Sequence, residues 1–395
     1  MILFLIFTLL LILYSYRDKE ALRFVGLGYF LGLIIYLFKL LEVGFDRINY
    51  FISDEIGYYY QYGNPFIDST KEDRLVWYAI NYFENNFDLG GAIGIKLINI
   101  PITILGIIWL ARIFDKQIKY QNFILCVPYL LILMTMNLRD CLIIAMVCGF
   151  VYNLDEFKIK KIILKIIFLV TIFYLRPVMA FILILTTFFF FFFKKKRIKK
   201  NKQIGRGPVR RFVILSILLP VLYFTLQTTI NQKIVRYISY VEYNFFDSKK
   251  YEERIAAKDV VSLATSNNII VNVFYGSLRY IGSPIPTSLL SRIFKGGGKY
   301  GQTDDITRMI NQILYYYFLI YIFFNFWHIK LVFKKLTTPQ IIILSFFFCH
   351  LLIYSFLAFG GTHQRTKIPF QLFIFIIYSL IIYNKKNENY CIRKN

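Results

Sequence analysis

Apolar runs recur along this chain at a length that leaves few alternatives to helices packed in an apolar solvent. The clearest ends in the six residues Phe188 to Phe193. It is followed at once by Lys194, Lys195, Lys196, Arg197, Lys199 and Lys200, with Arg210 and Arg211 closing the basic stretch before a new apolar run at Phe212. Basic clusters between membrane-length segments are held on the cytoplasmic side, so residues 194–211 fix one side and alternation assigns the other loops. The expectation is an all-α, polytopic integral membrane protein of about 11 transmembrane helices, amino terminus out and carboxyl terminus in. It would form a single membrane domain over residues 1–395, multi-pass in a bacterial cytoplasmic membrane. Two larger exterior loops are expected, at about 42–91 and 231–308.

Composition supports a lipid solvent. Of 395 residues, 57% are hydrophobic and 19% aromatic, beyond the usage of an ordinary soluble domain. The net charge of +24 would suit nucleic acid, but the lysines and arginines sit in short loops between apolar runs, and no nucleic-acid motif accompanies them. Cys126, Cys141, Cys148, Cys349 and Cys391 are odd in number and mostly lie in apolar segments, so no disulfide framework is implied. Met1 to Tyr16 has no positive region before it and no small-residue cleavage site after it, and is a poor signal peptide. No internal repeat stands out.

The stretch 42–91 is acidic and rich in tyrosine. Tyr58, Tyr59, Tyr60 and Trp77 are candidate sugar-stacking residues, with Asp54 and Glu55 as hydroxyl acceptors. An interface belt, or a surface helix from Asp73 to Phe83, explains the same residues. In the loop 231–308, Gly296-Gly297-Gly298-Lys299 lacks the spacing of a phosphate-binding loop.

Arginines carry the functional reading. Arg139 lies in the corner Asn137-Leu138-Arg139-Asp140, Arg176 stands before Pro177, and Arg365 follows Gly360-Gly361-Thr362-His363-Gln364. All three fall at outward corners, where the positive-inside bias works against them. Arg279, ahead of Gly282-Ser283-Pro284-Ile285-Pro286, joins them from the long loop. A planar, permanently charged guanidinium holds phosphate oxygens well, so the four suit a lipid-linked pyrophosphate. The alternative is four unrelated helix-end arginines reaching lipid headgroups.

Taken together, the Asn137–Asp140 corner, the segment Asp54-Glu55-Ile56-Gly57-Tyr58-Tyr59-Tyr60, Ser283-Pro284-Ile285-Pro286, and His363-Gln364-Arg365 resemble the EpsG-like branch of the Wzy polysaccharide polymerases. The chain departs from the family at the first corner, with Arg139-Asp140 where Arg-Gln is common. The resemblance implies a membrane glycosyltransferase, a repeat-unit polymerase of O-antigen, capsule or exopolysaccharide. It would move a glycan from undecaprenyl pyrophosphate to a lipid-linked acceptor on the outer membrane face. Its partners would be undecaprenyl-pyrophosphate-linked oligosaccharides and the lipid bilayer, with room for a chain-length regulator. The four arginines would stabilise the departing pyrophosphate. His363 is the best-placed base, ahead of His328 and His350, with Asp54 and Glu55 as rivals. No cofactor and no metal is expected, since arginines can neutralise the leaving group. A GT-C-type glycosyltransferase and a lipid-linked oligosaccharide flippase remain as alternatives.

Overall fold

Helices account for all fourteen elements of the computed structural model, which describes residues 2–43, 75–86, 94–193, 274–296, 301–356 and 364–392, apart from positions 95, 116, 137, 157, 275, 276, 279 and 283. In chain order they are α1 (Ile2–Ser15), α2 (Lys19–Val43), α3 (Leu75–Asn86), α4 (Asn99–Ile113), α5 (Tyr120–Cys126), α6 (Tyr129–Leu133) and α7 (Asp140–Tyr152). There follow α8 (Ile159–Leu175), α9 (Pro177–Phe193), α10 (Pro286–Phe294), α11 (Gln302–Phe324), α12 (Phe326–Lys335), α13 (Thr338–Phe356) and α14 (Gln364–Ile392).

The centre is the α4–α7 pair. A Cβ added at Gly106 of α4 would lie 3.0 Å from the Cα of Ala145 in α7, and one at Gly149 would lie 2.7 Å from Cζ3 of Trp109. Small residues let the two backbones approach closely, and close approach gives dense van der Waals packing. Nearly every residue of α4 is buried as a result. The α1–α2 turn is tied to the far end of α4. Asp18 caps α2 through the N–H of Ala21 at 3.2 Å and meets Arg112 at 3.5 Å, while Arg112 and Trp109 both donate to the Tyr14 hydroxyl.

The helix count corrects the expected membrane topology. Among the described residues two helices are long and apolar enough to cross a membrane, Lys19–Glu42 and Lys367–Asn387. A third exists only if Gln302–Phe324 and Phe326–Lys335, bent by 90° at their junction, form one span. About eleven spans were expected. The reasons are local. Leu3–Ser15, Asn99–Ile113, Asp140–Tyr152, Pro177–Phe190 and Thr338–Leu351 are apolar but short of the roughly 20 residues a crossing needs. The apolar segment from Tyr120 to Leu133 breaks at Pro128 into α5 and α6, because proline cannot donate to the preceding turn. Helix α4 is apolar because protein surrounds it, and hydropathy cannot distinguish that from lipid. The multi-pass inner-membrane assignment falls with the count.

Both long loops also hold helices. Within 42–91, α3 carries Trp77 and Glu84, each fully buried. Within 231–308, α10 forms with Pro286 in its first turn, and α11 begins at Gln302, inside the expected loop. The remainder of both loops lies outside the described residues.

Candidate functional site

Two polar clusters sit inside the helical assembly. The first is the corner between α6 and α7. Asn99, at the start of α4, donates from Nδ2 to the carbonyls of Met136 at 2.6 Å and Leu138 at 2.8 Å, which fixes the backbone leading into Arg139. Arg139 is buried and donates from Nη1 to the Leu175 carbonyl at 2.6 Å, where α8 ends. The next residue, Arg176, holds its Nη1 3.5 Å from Oδ1 of Asp140. Asp140 thus pairs across the helices, with a residue at the start of α9. Its place in the first turn of α7 is also favoured by the helix dipole.

His350 of α13 completes this cluster. It is buried, and its Nδ1 lies 3.1 Å from the Phe346 carbonyl. Burial pushes its pKa down to about 4. The Phe346 carbonyl acts upward, and Arg176 and Asp140 act in opposite senses. With the imidazole neutral, the charged groups named at this corner are the Arg139 and Arg176 guanidiniums and the Asp140 carboxylate. The thiol of Cys141, one residue on, is pushed up to about 12 by burial and stays protonated.

The second cluster lies along α11. Asp304, Arg308, Asn311, Gln312 and Tyr315 are all buried. They recur at intervals of three and four residues and so share one face of the helix. Arg308 brings Nε to 2.7 Å from Oδ2 of Asp304; the angle lies outside hydrogen-bond geometry, so the contact is an ion pair without a well-formed hydrogen bond. The Arg308 Nη2 donates to the Tyr129 hydroxyl at 3.1 Å. Asn311 accepts from the Tyr129 backbone N–H at 3.3 Å and donates to Gln371 of α14 at 2.9 Å. Lys367, also on α14, donates to the Ile281 carbonyl at 3.1 Å and sits 5.4 Å from the Tyr315 ring centre. Beside the Asp304 oxygens and Arg308 Nε, three further buried polar atoms of this cluster, Oε1 of Gln312, the Tyr315 hydroxyl and Nε2 of Gln371 on α14, have no hydrogen-bond partner among the described residues.

The opposite face of α11 is apolar and exposed. Ile306, Ile310, Ile313, Tyr317, Ile320 and Phe324 project outward, and Phe323 is 78% exposed. The helix is inverted relative to a surface helix in water, which buries its apolar stripe and exposes its charges.

Of the residues singled out from sequence, Arg139 and Arg176 are brought to one corner. Trp77 is fully buried on α3. Arg365 falls in the first turn of α14, where only its backbone is described. Asp54, Glu55, Tyr58, Tyr59, Tyr60, Arg279 and His363 lie outside the described residues. Sequence reasoning passed over Asp304, Arg308, Asn311, Gln371 and Lys367, and ranked His350 below His363. The α11 set carried a signal: in Gln302-Thr303-Asp304-Asp305-Ile306-Thr307-Arg308 and onward, polar residues repeat at helical spacing opposite an isoleucine stripe. No group of three or more His, Cys, Asp or Glu among the described residues could share a metal ion.

Among the described residues the elements are all helical, and they enclose two polar clusters. No family model matches the chain, and no curated protein or solved structure matches it either. The polymerase, glycosyltransferase and flippase readings all presupposed a polytopic membrane protein. With two spans, or three with the bent pair, in place of eleven, that premise fails and those assignments fall with it.

Proposed function

We propose that this protein meets a lipid bilayer through α2, α14 and the exposed apolar face of α11, and binds the phosphate-bearing head of a lipid-linked ligand in its polar interior. The observation that carries the reading is the inverted polarity of α11. Exposing its isoleucines and phenylalanines to water would cost roughly 1.5–3 kcal/mol for each large side chain left unburied. Against lipid that cost vanishes, while the buried polar face is kept from hydrocarbon.

The ligand class follows from the chemistry of the interior. The corner holding Arg139 and Arg176 brings two guanidinium groups together, and guanidinium groups favour phosphate oxygens geometrically. Gln312, Tyr315 and Gln371 offer an acceptor, a hydroxyl and a donor to the hydroxyl-bearing part of such a head. A polyprenyl phosphate that carries a sugar meets both demands.

The test is retention in lipid nanodiscs. The protein should retain a polyprenyl phosphate in preference to the uncharged polyprenol, read by native mass spectrometry. Arg176→Gln should weaken that preference roughly tenfold, the loss of one charge-assisted contact. Equal retention of the phosphate and the alcohol would overturn the proposal.

A further inference from the structure

At Asn325 the chain turns through 90° between α11 and α12, and the surface changes character there. Below the bend the exposed face of α11 is purely apolar. Beyond it, α12 exposes Phe326, Trp327, Leu331 and Phe333 together with Lys330, Lys334 and Lys335. Val332 is the buried residue of this helix. Two hydrogen bonds fix how it lies against the end of α14. Lys335 Nζ donates to Oδ1 of Asn384 at 2.9 Å, and Lys385 Nζ donates to Oδ1 of Asn325 at the bend itself. Lys385 and its neighbour Lys386 therefore stand at the same end as the three lysines of α12.

Aromatic rings beside lysines, on a helix turned across the axis of an apolar one, match the boundary between acyl chains and headgroups. Rings settle at the level of the glycerol backbone, and long ammonium stems reach past them to the phosphates. We infer that α12 is an in-plane interfacial helix that docks on the headgroup layer of an anionic lipid leaflet, with Phe326 and Trp327 inserted and the lysine cluster holding the headgroups. This rests on the bilayer reading above and adds the depth, orientation and lipid charge for one end of the molecule. The occupant follows from charge complementarity: Lys330, Lys334 and Lys335 lie on α12, which carries no acidic residue, with Lys385 and Lys386 at the adjoining end of α14.

Tryptophan makes the test direct. Trp77 and Trp109 are buried, whereas Trp327 is 84% exposed, so the signal removed by Trp327→Phe reports on α12. The intact protein is reconstituted in vesicles of equal phosphatidylglycerol and phosphatidylcholine, with one lipid at a time brominated near the headgroup end of its chains. Trp327 is expected to be quenched by both. The brominated phosphatidylglycerol should be enriched around it, and Lys330→Gln with Lys334→Gln should markedly reduce that enrichment, each lysine being worth roughly five-fold. Quenching that does not depend on which lipid is brominated would overturn the anionic preference. Trp327 that is unquenched and open to aqueous acrylamide would overturn the docking. A second variant, Ile313→Trp in the Trp327→Phe background, keeps the two readings apart. If Ile313→Trp is quenched and Trp327 is not, only the α12 inference fails. If neither is quenched, the bilayer reading fails too.

Discussion

The α4–α7 pair and helix α11 solve opposite problems with similar amounts of apolar sequence. In the first, isoleucines, Trp109 and small residues at Gly106, Ala145 and Gly149 pack inward until almost nothing of α4 is exposed. In the second, isoleucines and phenylalanines face outward, and Asp304, Arg308 and Asn311 face in. The contrast shows that hydropathy reports what a helix prefers to avoid and leaves open what replaces the water. For α4 the replacement is protein. For α11 the account assigns it to lipid.

The largest effect should come from cutting the polar face of α11. Arg308→Met leaves the Asp304 carboxylate buried without its cation and should destabilise the fold by about 3–5 kcal/mol. Adding Asp304→Leu should restore much of that, measured as the midpoint of thermal unfolding in detergent. If the double variant is no better than the single, the pair's role is in geometry rather than charge compensation. A smaller loss is expected in the α4–α7 pair. Gly106→Val forces side-chain atoms onto the Ala145 backbone and should cost about 1–3 kcal/mol. It should leave the α11 cluster intact, which separates the two regions experimentally.

The corner site should show its character in pH. The pKa of His350 is about 4 in the fold, against roughly 6.5 when unfolded. Below that upper value the unfolded chain takes up a proton the fold refuses, so stability falls as pH drops from about 6.5 towards 4 and then levels off, by about 3 kcal/mol in all. His350→Gln should remove that slope, as seen in unfolding midpoints taken across the range. An effect similar in size to Gly106→Val should come from Asn99→Ala, which leaves the Met136 and Leu138 carbonyls without their donor, at about 1–3 kcal/mol. It should also loosen Arg139 and so weaken phosphate retention.

Some of this was legible from residue order. The helical class followed from long apolar runs, and the breaks at Asn137–Asp140 and Arg176-Pro177 were legible as helix ends, though not that Arg139 and Arg176 would meet at one corner. The span count did not, because Asn99 to Ile113 reads as apolar whether protein or lipid surrounds it, and because Pro128 and Asn325 interrupt runs that hydropathy averages across. The reach of Arg176 to Asp140 and of Asn311 to Gln371 depends on which helices become neighbours, and no local pattern fixes that. The start of α11 was legible in principle. Its acidic first turn and repeating polar face were read as part of an exterior loop because the charges outweighed their spacing.

The central claim is that the apolar face of α11 meets lipid. Photolabelling with a small hydrophobic diazirine in nanodiscs, mapped by mass spectrometry, tests it without altering the chain. The account predicts label on Ile310, Ile313, Tyr317 and Ile320, and none on Asp304, Arg308 or Asn311. Label absent from that face, with a water-soluble diazirine reacting there instead, would contradict it.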